Sequence, residues 1–316
     1  MNEVTVPIYL LAGFLESGKT TFLNFTLQQD YFCIEGKTLL ILCEEGEEEY
    51  DMDALALTDT VVEVIEKEED FTPERLAALD ILYQPERVIV EYNGMWLVSK
   101  FEKMQKPKGW GIEQHIVCVD ASTFQMYMAN MKSIFMDMVR GADMVVFNRC
   151  KASDPLATYR RGIKVANQRA EIIFEDEEGE IDNIFQDEMP FDVNAPLIDI
   201  LPEDYGIWFV DAMDHPDTYV GKTVRFKGRA LKPRGMGSRF FVPGRMAMTC
   251  CADDTTFLGY VCKSDDALHI REGQWVEVTA RVAFEQRMEY QGEGIVLYAE
   301  KAEPCEALAD EMVYFN

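Results

Sequence analysis

The sequence predicts an α/β domain, in which a parallel sheet has helices on both faces, followed by a small all-β domain of the barrel type. In the first part of the chain, short β-branched runs alternate with longer helical patterns, as in parallel sheets. In the last third, apolar residues recur with period two, as in strands with one buried face. Between these parts, several prolines interrupt any sustained period. We therefore predict a first domain over 1–185, a connector over 186–216 and a barrel over 217–316.

The elements of the first domain follow one another in a regular order. A strand at 6–12, "VPIYLLA", leads through a glycine loop into a helix that begins near Lys19. A helix is predicted over 72–84, because Thr72 is a typical N-cap, Pro73 suits the first helical position, and leucines recur on one face. Further strands are predicted at 37–45, 86–92, 114–120 and 143–148.

The second domain is predicted from alternating segments. In "KTVRFKGRAL", Val224, Phe226 and Ala230 alternate with basic residues, and "WVEVTARV" at 275–282 repeats the pattern. Short alternating strands separated by glycine turns are typical of small barrels such as the OB fold. Residues 222–245 carry eight Lys or Arg and no Asp or Glu. This basic face pairs with the acidic first domain or receives an anionic partner, and the charge of the whole chain favours the internal pairing.

The charge balance excludes several classes of partner. The chain has 57 acidic and 30 basic residues and a formal charge of −27, and such a surface repels nucleic acid and anionic lipid. No run approaches the roughly 18 apolar residues of a membrane span, and the first residues lack the basic leader of a secretory signal. We therefore expect a cytoplasmic protein without direct membrane insertion, whose eight cysteines stay reduced.

A phosphate-binding loop is the strongest functional signal in the sequence. Gly13, Gly18, Lys19 and Thr20 have the spacing G-x-x-x-x-G-K-T, directly after a predicted strand and before a predicted helix. The glycines allow the backbone N–H groups to surround a phosphate. Lys19 can then reach the β- and γ-phosphates, and the Thr20 hydroxyl can bind Mg²⁺.

A second element supports this interpretation. "RVIVEYNG" places Glu91 at the end of a predicted strand and Gly94 three residues later, about 70 residues after the phosphate loop. A carboxylate at that place can hold Mg²⁺ directly or through water, and a glycine N–H can contact the γ-phosphate. The two segments together predict a site for a nucleoside triphosphate with Mg²⁺.

Five segments carry a resemblance to a known family. They are "AGFLESGKTTFLN", "LLILCEEGEEEYD", "RVIVEYNGMW", "DMVVFNRCK" and "VANQRAEIIFEDEEGEID". Over about residues 4–185 the chain resembles the CobW/HypB/UreG group of SIMIBI-class P-loop GTPases, most of all its CobW-like branch. There the second segment reads N-E-x-G-E, which Glu44, Gly46, Glu47 and Asp51 match. The resemblance implies a GTPase linked to metals, often a metallochaperone or insertase for zinc or cobalt.

The chain departs from the family pattern at three places. The cysteine metal motif C-x-C-C is missing, since no cysteine lies between Cys43 and Glu91, and a run of carboxylates stands near its place. That run is either a solvated acidic loop or a loop for hard cations. The guanine motif N-K-x-D reads "NRCK", with Asn148 kept and Lys151 in place of Asp, which leaves GTP and ATP both open. Glu16 stands in the phosphate loop where the family has small residues.

The second domain contains a further resemblance in "FFVPGRMAMTCCADDTTFLGYVC". Over about 217–285 it is similar to the C-terminal domain of YcgQ-type permease-accessory proteins, with partial matches at Arg245, Met248, Cys250, Cys251, Asp253 and Gly259. The resemblance implies an association with transport or metal. A candidate soft-metal site takes Cys250 or Cys251 with Asp253, Cys262 or His269, and zinc is one metal that such ligands could hold. The alternative is a barrel core in which these thiols are packed.

The hypothesis that follows is a nucleoside triphosphatase that acts as a switch for a metal or a partner, such as a client metalloprotein. The alternative is an adaptor that binds nucleotide or metal without hydrolysis and associates with a permease. Lys19, Glu44 and Glu47 are the candidate catalytic residues, and Thr20 and Glu91 the candidate Mg²⁺ ligands. The candidate nucleotide-binding residues are Gly13, Glu16, Ser17, Gly18, Lys19, Thr20, Thr21, Gly94 and Asn148.

Overall fold

The computed structural model describes residues 4–181, 189–249 and 254–314. The chain divides into two compact units, the first made of residues 1–156 and 166–183 and the second of residues 157–165 and 184–316. In the described part of the chain, each unit is built around a sheet of its own. The units are therefore considered one at a time.

The first unit is an α/β layer structure. Its strands are β1 (Val6–Ala12), β2 (Thr38–Leu42), β3 (Thr60–Val64), β4 (Arg87–Glu91), β5 (Trp110–Asp120), β6 (Met144–Asn148), β7 (Glu171–Asp176) and β8 (Gly179–Glu180). Its helices are α1 (Lys19–Leu27), α2 (Met52–Leu57), α3 (Pro73–Tyr83), α4 (Val98–Lys103), α5 (Ala121–Asn130) and α6 (Lys132–Arg140); the next helix, α7 (Leu156–Ala166), has most of its residues in the second unit. The predicted strands and the α3 helix are all present.

The order of the strands places the predicted site at one edge. The described strands pair as β3-β2-β4-β1-β5-β6-β7-β8, in parallel except for β7 with β8. β1 and β4 are neighbours, with Leu11 opposite Glu91. Because parallel strands end at the same edge, the loop after β1 meets the end of β4. The core beneath it contains Leu11, Leu40 and Ile89.

Helix α3 shows how local sequence sets an element. The Thr72 side chain accepts a hydrogen bond from the Arg75 amide at 3.2 Å, which caps the helix start. Leu76 and Leu79 are buried, whereas Leu82 in the last turn is 66% exposed. The apolar face therefore packs along the first two turns, and the end of the helix is left in solvent.

His115 in β5 gives the first unit a dependence on pH. The residue is 1% exposed, and burial lowers its pKa to about 4. In the unfolded chain a histidine takes up a proton below about pH 6.5, while the folded state stays neutral until about pH 4. Stability is therefore lost as the pH falls through this window. We expect about 2 kcal/mol of this loss between about pH 7 and pH 5.

Urea unfolding of the wild type, His115→Leu and His269→Leu at the two pH values checks this expectation. His269 is exposed and serves as the control. The loss of stability on acidification should shrink in His115→Leu and stay as in the wild type in His269→Leu. An equal loss in all three proteins would show that His115 is not responsible.

The second unit is a closed barrel with a buried helix. Its strands are β9 (Leu197–Asp199), β10 (Thr223–Leu231), β11 (Phe240–Met248), β12 (Thr255–Gly259), β13 (Val261–Lys263), β14 (Trp275–Arg287), β15 (Gly292–Pro304) and β16 (Met312–Val313), with helices α8 (Tyr205–Asp214) and α9 (Pro216–Tyr219). Among the described residues, β10, β11, β13, β15 and β14 pair in a circuit that returns to β10. The predicted small barrel is confirmed, and its predicted alternation holds: Val224, Phe226 and Ala230 are buried.

Residues that precede the barrel strands belong to its core. β9 pairs in parallel with β10, and Arg225 makes a bidentate ion pair with Asp199 at 2.9 and 2.6 Å. The basic strand is therefore paired in part within its own unit. Helix α8 buries Trp208 completely, and the Tyr205 hydroxyl donates to the Leu258 carbonyl oxygen at 3.0 Å.

Arg245 fastens the last strand to the barrel. Its side chain is 3% exposed and donates to the carbonyl oxygens of Asp310 and Met312, each at 3.0 Å, and to that of Pro202. A buried guanidinium needs such acceptors, because an unpaired buried charge is costly. β16 thereby pairs with β11 next to its anchoring arginine. In the described part of the chain, no helix is long and apolar enough to cross a membrane.

Candidate functional site

The loop between β1 and α1 forms a cradle at the carboxyl edge of the sheet. Gly13 (φ 143°) and Gly18 (φ 93°) adopt dihedral angles that favour glycine, and a Cβ on Gly13 would collide with the Cys118 carbonyl oxygen. The Ser17 amide donates to the Phe14 carbonyl oxygen at 3.1 Å, which closes the turn. Helix α1 begins directly afterwards, and a helix N-terminus presents N–H groups to an anion.

Lys19 points back into this cradle. The side chain is 3% exposed, and Nζ donates to the carbonyl oxygens of Gly13 and Phe14, each at 3.0 Å. Nζ also forms an ion pair with the Glu44 carboxylate, whose side chain is 10% exposed. The ammonium group therefore lies at the mouth of the loop, in contact with an anion.

Glu91 at the end of β4 faces the start of α1. The Thr20 hydroxyl donates to Glu91 Oε1 at 3.1 Å, and the Tyr50 hydroxyl donates to Glu91 Oε2. Burial raises the pKa of Glu91 above its ordinary value, although these hydrogen bonds and Lys19 lower it in part. A buried carboxylate beside a threonine hydroxyl offers the hard oxygen atoms that Mg²⁺ prefers.

The segment after β2, which we call the acidic loop (residues 43–51), contacts the phosphate loop at several points. Glu44 Oε2 accepts a hydrogen bond from the Gly94 amide at 3.2 Å. Glu16 Oε1 accepts one from the Glu47 amide at 2.8 Å. Glu16 has φ 61°, a left-handed conformation that costs energy in a residue other than glycine. Its carboxylate thus points toward the acidic loop.

The end of β6 holds the phosphate loop from the other side. Asn148 Nδ2 donates to the Ser17 carbonyl oxygen at 2.8 Å. Arg149 Nη1 donates to the Glu16 carbonyl oxygen at 3.0 Å and to Asp120 Oδ2 at 2.6 Å. Lys151 is exposed, and its amide donates to Asp154 Oδ2 at 2.8 Å. The side chains of Asn148 and Arg149 therefore support the loop backbone.

These groups surround an open cleft of about 370 Å³. Its lining includes Gly18, Lys19, Thr20, Thr21, Glu44, Glu91 and Arg149. Positive charge from Lys19 and Arg149 lies at the phosphate loop, and carboxylates lie on the facing side. Such a cleft can take a phosphate chain along the loop with a cation between the phosphates and Glu91.

Comparison with protein families identifies the family of the domain that contains this cleft. The family described as CobW/HypB/UreG, nucleotide-binding domain, matches residues 7–174, more than half of the chain. The chain belongs to the CobW/HypB/UreG family. A second family, described as DUF1980 C-terminal domain, matches residues 177–315. The predicted resemblance is confirmed by these matches.

Solved structures also show similarity at low identity. The Zn(II)-bound YjiA GTPase from E. coli is 17% identical, over 82% of this chain and 89% of its own, with a TM-score of 0.43. The hydrogenase maturation factor HypB from Archaeoglobus fulgidus is 18% identical, over 55% of this chain and 82% of its own, with a TM-score of 0.37. The mitochondrial single-stranded DNA binding protein Rim1 from S. cerevisiae is 15% identical, over 27% of this chain and 95% of its own, with a TM-score of 0.17. No curated protein sequence matches the chain.

Within the CobW/HypB/UreG domain, the structure brings together most residues predicted for the site. Lys19, Thr20, Glu44, Glu91 and Gly94 are linked by direct contacts. Thr21 and Glu47 are both exposed and both line the cleft. The Glu47 amide also donates a hydrogen bond to Glu16. Sequence reasoning missed Tyr50 and Arg149 as site residues. Each lies within a segment that carries the family resemblance, so position in those segments was the available signal.

The second unit gives less information about its predicted metal site. Cys250, Cys251 and Asp253 lie outside the described residues. Cys262 in β13 is fully buried, and burial raises the pKa of its thiol to about 12. Among the residues that the structure describes, no three His, Cys, Asp or Glu side chains form a group that could hold a metal ion.

Proposed function

We propose that this chain is a Mg²⁺-dependent nucleoside triphosphatase whose nucleotide state acts as a switch. The observation that carries the proposal is the convergence of Lys19, Thr20 and Glu91 on one cleft at the edge of the parallel sheet, with the Gly94 amide bonded to Glu44 of the same cleft. Family membership supports nucleotide binding by this unit. The chemistry is phosphoryl transfer to water, in which positioning and electrostatic stabilisation supply most of the catalysis.

Each residue of the cleft has a role in this proposal. Lys19 binds the β- and γ-phosphate oxygens and stabilises the negative charge that develops on them. The backbone N–H groups of the phosphate loop, from Gly13 to Thr20, hold the β-phosphate. The Gly94 amide donates to the γ-phosphate. Glu44 lies beside Lys19 and is the better placed of the two predicted carboxylates to orient the attacking water, and Glu47 is the second candidate.

The residues that would hold Mg²⁺ fit that ion. Thr20 Oγ1 and Glu91 Oε1 are 3.1 Å apart, and both are hard oxygen ligands at the carboxyl edge. When bound, Mg²⁺ neutralises charge on the phosphates. Thr20 and Glu91 then orient the phosphate chain toward Lys19, while Asn148 and Arg149 keep the loop backbone in place.

The wider role in the proposal is metal handling in the cytoplasm. Its support is membership of the CobW/HypB/UreG family and the acid-rich surface, which tolerates cations and basic proteins. In this role zinc is a cargo rather than a cofactor, and the partner is a client metalloprotein. The resemblance of the second unit to the C-terminal domain of permease-accessory proteins leaves a permease as the alternative partner.

A second candidate function is an adaptor that binds nucleotide without hydrolysis. The observation that favours it is Lys151, which stands where the family pattern has the guanine-binding Asp. Phosphate release by the full chain with GTP or ATP, in Mg²⁺ and in EDTA, distinguishes the two. Release that requires Mg²⁺ supports the enzyme. Tight nucleotide binding without any release supports the adaptor, and calorimetric titration with and without Zn²⁺ tests the link to metal.

We expect weak discrimination between GTP and ATP, with dissociation constants within about tenfold. Asp at position 151 would accept two hydrogen bonds from guanine, each worth about 1.5–3 kcal/mol. Lys151 carries an ammonium group, which donates hydrogen bonds and cannot accept them from the N–H groups of guanine. Lys151→Asp should raise the preference for GTP by about tenfold or more, measured by calorimetry. Lys108→Ala, an exposed residue before β5, is the control. Strong GTP preference in the wild type would contradict the expectation.

A further inference from the structure

Two hydrogen-bond donors of the cleft meet on the same carboxylate. Glu44 Oε1 contacts Lys19 Nζ, and Glu44 Oε2 accepts from the Gly94 amide at 3.2 Å. The two donors come from separate elements, α1 and the turn after β4. Because the Glu44 side chain is only 10% exposed, it is held between them.

The proposed function assigns both donors to the γ-phosphate, and Lys19 to the β-phosphate as well, and the inference rests on that function in this respect. Two oxygens of a carboxylate, about 2.2 Å apart in any such group, resemble two oxygens of a terminal phosphoryl group in charge and in hydrogen-bonding capacity. The Glu44 carboxylate therefore occupies the position in which the terminal phosphate would bind. The phosphate-loop amides that hold the β-phosphate belong to a different part of the cleft.

We infer that Glu44 sets the preference of the site between nucleoside diphosphate and triphosphate. A diphosphate leaves the contact of Glu44 with Gly94 in place and meets Glu44 only at Lys19, whose ammonium group it shares with the carboxylate. A triphosphate must displace the carboxylate from both donors. The free energy of triphosphate binding is therefore less favourable by the energy of the Glu44 contacts that are lost. The displaced carboxylate also remains close to the γ-phosphate, and like charges repel.

The acidic loop is fastened in the arrangement that presents Glu44. Glu16 Oε1 holds the Glu47 amide at 2.8 Å, Asn24 Nδ2 holds the Glu49 carbonyl oxygen at 3.1 Å, and Tyr50 contacts Glu91. Asn93 Nδ2 also donates to the Cys43 carbonyl oxygen at 3.2 Å. Glu44 thus sits in a segment tied at both ends to the rest of the site. A triphosphate must therefore either break these contacts of the acidic loop or turn the Glu44 side chain away while the loop stays in place.

Equilibrium binding of GDP and of the non-hydrolysable analogue GMPPNP to the full chain, in Mg²⁺, tests this inference. Glu44→Gln keeps the size of the side chain and removes its charge, and Glu44→Ala removes the group. We expect the affinity for GMPPNP relative to GDP to rise by about tenfold or more in both variants. GDP affinity should change less than GMPPNP affinity, because GDP meets Glu44 at Lys19 but not at the Gly94 amide.

Glu45→Gln is the matched control, since Glu45 is the exposed neighbour in the same loop. Its relative affinity for the two nucleotides should equal that of the wild type. If GDP and GMPPNP bind and their ratio is unchanged in both Glu44 variants, the inference is overturned while the proposed function stands. If neither nucleotide binds the wild-type chain, the proposed function fails, and the inference fails with it. Thermal unfolding of each variant confirms that the binding data come from folded protein.

Discussion

Alanine in place of Lys19 is expected to reduce Mg²⁺-dependent phosphate release by about 10²–10³-fold, the loss typical for removal of one group that stabilises developing charge. Lys19 Nζ is fixed by the carbonyl oxygens of Gly13 and Phe14, so its position is set before a nucleotide arrives. Preorganised charge of this kind costs no rearrangement during the reaction. The measurement is phosphate release at saturating GTP and ATP.

Lys108→Ala is the control for this prediction, because Lys108 is exposed and precedes β5, at the edge of the sheet opposite to the cleft. It should keep the wild-type rate. Lys19→Ala also leaves Glu44 without its ion-pair partner, so a fall in thermal stability is expected alongside the loss of activity. A Lys19→Ala protein that is folded and as active as the wild type would remove the basis of the proposed mechanism.

Gly94→Ala is expected to weaken nucleotide binding through a steric effect. A Cβ on Gly94 would lie 2.5 Å from the Gly13 carbonyl oxygen and 2.7 Å from Phe14 Cα. Both neighbours are backbone atoms of the phosphate loop, so the clash is relieved only if the loop changes shape. We expect the affinity for GDP and GTP to fall by about tenfold or more, and stability to fall by about 1–3 kcal/mol, as in overpacked cores.

Gly162→Ala is the control, because a Cβ at Gly162 in α7 meets nothing within 4 Å. Alanine is the better helix former, so this variant should be more stable by up to about 1 kcal/mol. Calorimetric titration with GDP and urea unfolding measure both effects. Unchanged GDP affinity in Gly94→Ala would show that the turn after β4 does not shape the phosphate loop.

The sequence predicted those features that short-range patterns determine. β1 and β10 follow from apolar period and residue type, and the G-x-x-x-x-G-K-T spacing by itself defines the loop that curls around Lys19. Helix α8 was not predicted, because it lies in the proline-rich segment that was assigned to the connector. Tyr205, Trp208, Phe209 and Ala212 do stand at the helical spacing i, i+3, i+4 and i+7, but the prolines around them led to the prediction of a connector.

Contacts within the site were harder to predict, since they join residues far apart in the chain. That Glu16 turns toward Glu47, and that Tyr50 meets Glu91, depends on how the acidic loop folds back over α1. No periodic pattern in the sequence indicates how the acidic loop folds. The left-handed backbone of Glu16 also has no signature in the sequence, because such conformations are usually marked by glycine.

The anchoring of β16 by Arg245 has a consequence for how the barrel is made during translation. Arg245 leaves the ribosome well before its acceptors, which lie 65 and 67 positions later at Asp310 and Met312. At about 5–20 residues per second, the delay is roughly 3–13 s. Throughout that interval Pro202 is the one acceptor of the three that has already been made, so the guanidinium stays partly hydrated and β11 cannot reach its final buried state. Completion of the second unit is therefore timed by the synthesis of its last described strand.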